Sequence, residues 1–358
     1  MLTILSSASA RPNFVKLAAV HHAIAAREDM RHLIVHTGQH YDPLFSDVFF
    51  QELNIPAPTR NLGIKGGFDR ETVIDLTACA MTSVLEELQP DIVLVYGDVN
   101  GAVGAARAAR TIGITLGHVE AGLRSFDTSM PEELNRIEID QLSDVLFVSE
   151  ESGMRNMKNE QLRGTAHLVG NTMIDTLVRM QPAIDRAAVP PHLPRRFAIA
   201  TLHRPSNVDR PEDLERNLRF IAEVSTRCPV VLPLHRRTQQ NIRRFDLSAC
   251  LVPSVTVIDP LGYIEFLALI KRASFILTDS GGMQEEATFL RKKCFTLRLN
   301  TERPSTIESG SNTLIDLTKG TDRTTVLDFA AASGDPAVIV PPLWDGKAGE
   351  RILAALSC

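Results

Sequence analysis

The feature that most constrains this chain is the alternation of short, uninterrupted apolar runs with amphipathic stretches. In the first half the runs read LTIL, HLIVHT, DIVLVYG, ITLGHV and DVLFVS. In the second they read FAIATL, VVLPL, VTVID, SFILTD and CFTLRL. A strand with one wet face alternates apolar and polar residues; a strand buried on both faces of a parallel sheet reads as a continuous apolar run. Between the runs, segments such as NFVKLAAVHHAIAA and GAVGAARAARTIG carry apolar residues at helical spacing. Repeated strand–helix units of this kind predict an α/β fold of doubly wound parallel sheets.

The pattern pauses once, at VPPHLPRR, residues 189–196, where three prolines fall among few core residues. That stretch reads as a linker. The expectation is two Rossmann-like domains, 1–188 and 197–345, whose sheets face a cleft. The helical pattern of 346–358 is able to pack back on the first domain. A length of 358 residues fits two domains.

Charge and composition exclude several classes. A formal net charge of −5 leaves no basic footprint for nucleic acid. No apolar run approaches a membrane span, and MLTILSSASARPNFVK reads as a first strand followed by a helix, not as a signal peptide. The five cysteines are odd in number, widely spaced and without a CxxC pair, which fits reduced thiols in a cytoplasmic protein. The ten histidines show no metal-ligand spacing, so no metal is expected.

In open parallel sheets ligands bind outside the carboxyl ends of the strands, so the residues that follow each run matter most. LTIL is followed by Ser6 through Arg11, HLIVHT by Gly38, Gln39 and His40, DIVLVYG by Asp98 and Asn100, and ITLGHV by Glu120. FAIATL is followed by His203 and Arg204, VVLPL by His235 and two arginines, SFILTD by Ser280, Gly281 and Gly282, and CFTLRL by Asn300 through Arg303. Loops meet water, and polar residues follow most strands. A series in which nearly every run ends in His, Arg, Asp, Glu or a glycine pair points instead to a site.

TDSGGMQEEA carries its own mechanism. A strand ends, Gly281 and Gly282 permit close backbone approach, and a helix begins, so that amide N–H groups and the helix dipole can receive a phosphate. The same three residues also make an ordinary turn. The GxGxxG fingerprint and the GxxxxGK[ST] loop are both absent, which disfavours a dinucleotide dehydrogenase and a P-loop NTPase. A diphosphate on this helix would find countercharges in Arg11 and Arg303. Glu286 reads either as a solvated helix charge or as an acceptor for ribose hydroxyls.

The chain resembles the non-hydrolysing UDP-N-acetylglucosamine 2-epimerases. The resemblance rests on ARPNFVK, TGQHYD, VYGDVN, GHVEAGLRS, MPEELNR, VGNTMIDTL, TLHRPSNVD, DPLGYIEF, TDSGGMQEEA and NTERPSTIESGSN, which follow the family's order across essentially the whole chain. It implies a glycosyltransferase-B-like fold, a UDP-binding second domain and a homodimer. It also implies interconversion of UDP-GlcNAc and UDP-ManNAc through anti elimination of UDP, a 2-acetamidoglucal and re-addition, with no cofactor. Carried over position by position, it implies catalytic roles for Asp98, Glu120, Glu132 and His203. It places substrate contacts on Arg11, Lys16, His203, Ser280, Gly281, Gly282, Glu286 and Arg303. Glu133 is expected to pair with Arg136, and Arg124 to support the acidic cluster.

Two departures from the common bacterial pattern stand out. Asn13 takes the place of a Glu and Ala10 that of a Thr. The segment linked in the family to an allosteric site reads QHYD: Gln39, His40, Arg70 and His235 remain, while Tyr41 and Asp42 replace other residues. Branches with TGQHYD include epimerases of UDP-2,3-diacetamido-glucuronic acid. The alternatives are a hydrolysing relative that releases ManNAc and UDP, a UDP-sugar glycosyltransferase and a non-enzymatic UDP-sugar sensor. A transferase needs no proton chemistry at C2, and a sensor would be expected to have lost some of the acids.

Overall fold

The computed structural model describes residues 1–38, 49–65, 67–332 and 337–357. It divides into two compact units, Met1–Met180 with Pro342–Cys358, and Gln181–Pro341.

The first unit is built on seven parallel strands: β1 (Leu2–Ala8), β2 (Met30–His36), β3 (Arg60–Asn61), β4 (Ile92–Tyr96), β5 (Thr115–Ala121), β6 (Val145–Val148) and β7 (Thr165–Leu168). Their order is β3-β2-β1-β4-β5-β6-β7. The helices that bear on function are α1 (Arg11–Ala25), α2 (Arg70–Leu88), α3 (Asn100–Ile112), α4 (Pro131–Leu142), α5 (Glu151–Lys158) and α6 (Thr172–Arg186). All five residues of β4, IVLVY, are buried, as a central parallel strand requires.

The second unit repeats the winding with β8 (Ala198–Thr201), β9 (Val230–Pro233), β10 (Val255–Ile258), β11 (Phe275–Thr278), β12 (Lys293–Thr296) and β13 (Asn312–Leu314), ordered β10-β9-β8-β11-β12-β13. Its helices include α7 (Pro205–Val208), α8 (Pro211–Ser225), α9 (Arg236–Arg244), α10 (Tyr263–Arg272), α11 (Gly281–Phe289), α12 (Pro304–Glu308) and α13 (Gly320–Ala331). Phe275, Phe295 and Phe329 meet edge to face in its core, with centroids 5.4–5.9 Å apart.

Both sheets therefore have a topological switch point, between β1 and β4 in one unit and between β8 and β11 in the other. The carboxyl ends of these strands are where such a sheet presents its ligand site. The two units are Rossmann-like, as the alternating runs imply.

The boundaries differ from the expected ones. The chain leaves the first unit between Met180 and Gln181, inside α6, and not at 189–196. Helical spacing persists past the boundary, and the local mark there is a single proline inside the helix, Pro182. The return falls at Pro342, before the expected 345, because Trp344 is buried in the first unit and donates its indole N–H to the Ser149 carbonyl at 3.2 Å. The last helix, α14 (Ala348–Leu356), packs on α1. A Cβ at Gly349 would stand 2.6 Å from the Ala19 carbonyl oxygen, and the Gly349 N–H donates to Asp175 at 2.8 Å.

Candidate active site

In the first unit the switch point gathers two carboxylates, each with its own cation. Glu120 ends β5, and its Oε2 lies 2.6 Å from the Lys16 Nζ of α1, with both side chains buried. Gly97, after β4, has φ +64°, and a Cβ there would stand 2.9 Å from the Lys16 Nζ. The position thus needs glycine both for its backbone and for room. Asp98 follows. Its Oδ2 receives the Arg136 guanidinium of α4 at 3.0 Å from Nε and 2.8 Å from Nη2.

The backbone is strained at the chemistry. Glu120 has φ +75°, and the pairing of β5 with β6 slips there, between Val119 and Ala121. A non-glycine residue in the left-handed region costs of order 1–3 kcal/mol and persists only where its surroundings impose it. The bulge re-aims the side chain from the sheet toward Lys16.

A second layer holds these groups. Glu133 pairs with Arg136 and accepts from the Ser125 N–H (2.9 Å), the Ser125 hydroxyl (3.0 Å) and the Phe126 N–H (2.9 Å). Asn135 donates to the Asp98 carbonyl at 2.7 Å and is itself held by Arg70 at 2.8 Å. Arg124 pairs with Asp140 and Glu160, both at 2.7 Å. The Glu133–Arg136 pair is the expected one, and the partners of Arg124 are Asp140 and Glu160. Asn13 accepts the Ala10 N–H at 3.0 Å and donates to the Tyr96 carbonyl at 2.8 Å, tying the start of α1 to the end of β4.

In the second unit His203 follows β8, and its Nδ1 lies 2.9 Å from Asp279, at the end of β11. Asp279 also accepts the backbone N–H groups of His203 and Arg204. Burial alone would raise the Asp279 carboxyl; the His203 hydrogen bond and charge, with the two amides, outweigh it and hold it below the usual carboxylate range. The rings of His203 and His235 are 5.8 Å apart, centre to centre. Ser280 caps α11, which opens with Gly281. A Cβ on Gly281 would meet Arg303 Nη1 at 2.7 Å and Glu302 Oε1 at 2.8 Å.

Arg303 is buried between Glu302 and Glu285, the latter at 2.9 Å. Glu286, also buried, is pushed up to about 8 by desolvation and by the neighbouring Glu285, against a hydrogen bond from Tyr263. Burial and Glu286 in turn raise the Tyr263 hydroxyl well above its ordinary value.

The expected residues divide as follows. Asp98, Glu120 and Lys16 come together. Glu132 sits half-buried in the first turn of α4, near the chain that carries Arg136. Arg11 is exposed in the first turn of α1. Lys16, expected at the substrate, is bound to Glu120, and Arg70 spans α2 and α4 through Asn135 and Glu138. His203, Ser280, Gly281 and Gly282 adjoin the second switch point, and His235 caps α9 beside His203. Gln39 and His40 lie outside the described residues. Among the described residues no group of three or more His, Cys, Asp or Glu is arranged to hold a metal ion. Sequence reasoning missed Asp279, His118 and Asp140. Asp279 had left a signal, an acid at the end of the run SFILTD; the other two had not.

A buried Glu120–Lys16 pair beside a half-buried Asp98–Arg136 pair at one switch point, and a glycine-fronted helix beside a His–Asp pair at the other, define an α/β enzyme of two Rossmann-like units. The family model described as UDP-N-acetylglucosamine 2-epimerase matches residues 22–357. The chain is 39% identical to the UDP-2,3-diacetamido-2,3-dideoxy-D-glucuronate 2-epimerase of Pseudomonas aeruginosa, covering 93% of this chain and 92% of that one. It is 36% identical to the UDP-N-acetylglucosamine 2-epimerase of Methanocaldococcus jannaschii, covering 97% and 96%. The crystal structure of the M. jannaschii UDP-GlcNAc 2-epimerase in complex with UDP-GlcNAc and UDP superposes with a TM-score of 0.90 at 33% identity, over 99% of both chains. The chain belongs to the UDP-N-acetylglucosamine 2-epimerase family.

Proposed function

We propose that this chain interconverts UDP-GlcNAc and UDP-ManNAc. The C2 proton is removed, its electron pair forms the C1=C2 bond of 2-acetamidoglucal, and the C1–O bond breaks to release UDP. Protonation of C2 on the opposite face with return of UDP to C1 completes the epimerisation. The observation that carries this reading is the pairing of Asp98 with Arg136 and of Glu120 with Lys16 at the ends of adjacent strands. The C2 proton is weakly acidic, so its removal needs a positioned base, and delivery from the other face needs a second group. Asp98, Glu120 and Glu132 supply these. The amides at Ser280, Gly281 and Gly282 suit the diphosphate, with Arg303 and Arg11 the countercharges that the family resemblance implies and Glu286 as ribose acceptor. His203, oriented by Asp279, serves the leaving group.

The reading requires neither nicotinamide nor metal. It extends to a cytoplasmic homodimer acting in polysaccharide biosynthesis, with a UDP-sugar as its small-molecule partner. No helix among the described residues is long and apolar enough to cross a membrane. Light scattering of the purified protein tests the dimer.

Two observations favour a second sugar: the 39% identical relative acts on a UDP-diacetamido-glucuronate by its name, and the chain carries TGQHYD. Incubation with each UDP-sugar separately, followed by NMR of the products, decides. Conversion of UDP-GlcNAc to UDP-ManNAc supports the proposal. Turnover confined to the diacetamido-glucuronate moves the substrate, and free ManNAc with UDP marks a hydrolysing enzyme.

A further inference from the structure

One cluster in the first unit lies behind the carboxylates without touching them. His118, on β5 two residues before Glu120, is fully buried. Its Nε2 lies 2.9 Å from the carbonyl oxygen of Gly97, the residue before Asp98. Its Nδ1 lies 2.6 Å from Oδ1 of Asp140, a fully buried carboxylate on α4. The other oxygen, Oδ2, accepts the Gly122 N–H at 3.1 Å and faces the Arg124 guanidinium at 2.7 Å.

We propose that Asp140 and His118 are a positioning pair that fixes Asp98 and Glu120 relative to each other, and that the His118 ring is an imidazolium donating from both nitrogens. A carbonyl oxygen only accepts, so Nε2 must carry a proton. Asp140 accepts from a backbone amide and a guanidinium at its other oxygen, an environment that suits the carboxylate and not the acid, so Nδ1 must carry one too. Burial would raise the Asp140 carboxyl, but His118 and Arg124 outweigh it and hold it below the usual range. The cluster closes electrically: the Arg124 and His118 cations face the Asp140 and Glu160 anions. Neutralised, hydrogen-bonded charges are what a buried site tolerates.

The geometry says what the pair does. Through His118 it holds the Gly97 carbonyl and hence the turn that presents Asp98. Through Gly122 and Arg124 it holds the chain that leaves Glu120, whose left-handed backbone needs bracing from both sides. The anchor for both arms is α4, whose first turn carries Glu132. One carboxylate thus ties together the three segments that bear Asp98, Glu120 and Glu132. Misplacement of such groups by about 1 Å costs roughly 10²-fold in rate.

The role in turnover rests on the epimerase reading; the charge state of the ring does not. Nitrogen-15 NMR of the ligand-free wild-type protein should show a proton on both His118 nitrogens. A pyridine-type nitrogen on that ring would overturn the proposal, whether or not the protein turns over UDP-sugars. His118→Gln keeps a donor near the Nε2 position, toward Gly97, and His118→Asn keeps one near Nδ1, toward Asp140. With the active substrate, both variants should lower kcat while leaving KM and UDP affinity near wild type, and Gln should retain at least tenfold more activity than Asn. Near-normal kcat in both, or a loss confined to KM, contradicts the positioning role. Should neither variant fold, the wild-type spectrum still decides the charge state of the ring, and kcat against KM in Asp140→Asn decides the positioning role.

Discussion

Lys16 Nζ lies 2.6 Å from Glu120 Oε2, in a buried ion pair between the first turns of α1 and the end of β5. Its two members are 104 positions apart in the chain, and both side chains are buried. Removing one partner of such a pair leaves an uncompensated buried charge, at about 3–5 kcal/mol. Lys16→Met should therefore lower thermal stability markedly, and Lys16→Met combined with Glu120→Leu should recover part of it. Calorimetry of the single and double variants checks this; equal stabilities would mean that the pair is not formed in solution.

The φ of +75° at Glu120 gives a sharper expectation. Alanine and glycine both delete the carboxylate, but only glycine accepts the left-handed backbone without strain. Glu120→Gly should be more stable than Glu120→Ala by about 1 kcal/mol, reversing the usual order. Both should lose activity by about 10²–10⁴-fold, as deletion of an acid–base group does. Denaturant melts of the two variants, side by side, are the measurement.

At the other switch point, the space over Gly281 is filled by Arg303 and Glu302. Gly281→Ala must push the Arg303 guanidinium from its place between Glu302 and Glu285 and crowd the amides at the start of α11. UDP affinity should fall at least tenfold by titration calorimetry, while the carboxylates of the first unit are undisturbed. Unchanged affinity would remove the start of α11 from the diphosphate site.

The buried Glu286 carboxyl predicts a pH dependence with a definite sign. Its value rises from an ordinary 4.5 to about 8, mainly by desolvation and then by Glu285. The folded protein therefore holds a proton that the unfolded chain releases, so this contribution is full below about pH 4.5 and is lost as pH rises toward 8. Glu286→Gln should be more stable than wild type above pH 8, with the gap narrowing toward pH 5. A pH series of melting temperatures tests it, and a gap independent of pH would contradict it.

Much of the fold was legible because a central parallel strand must be apolar on both faces. The β4 run IVLVY and the β11 run FILT are wholly buried. The edge strands β3, β7 and β13 escaped notice because they are short and partly exposed, with a single neighbour to satisfy. The boundary inside α6 carries only Pro182, within a helix whose periodicity runs through it, whereas Pro190, Pro191 and Pro194 cluster at a later point. At the site, Asp98, Glu120 and His203 were visible as residues that end strands. Their partners were not: Lys16 meets Glu120, Arg136 meets Asp98 and Asp279 meets His203 only through long-range packing, which spacing along the chain does not encode.

In the proposed reaction the carboxylates at the β4 and β5 ends transfer the C2 proton reversibly. Its most direct test is incubation of the wild-type protein with its UDP-sugar in D2O, with the product and recovered substrate read by proton NMR and mass spectrometry. One solvent deuterium should appear at C2 of the epimer, and Asp98→Asn and Glu120→Gln should each lose that incorporation. Epimer formed with its original C2 proton fully retained, or exchange unaffected by both substitutions, would contradict it.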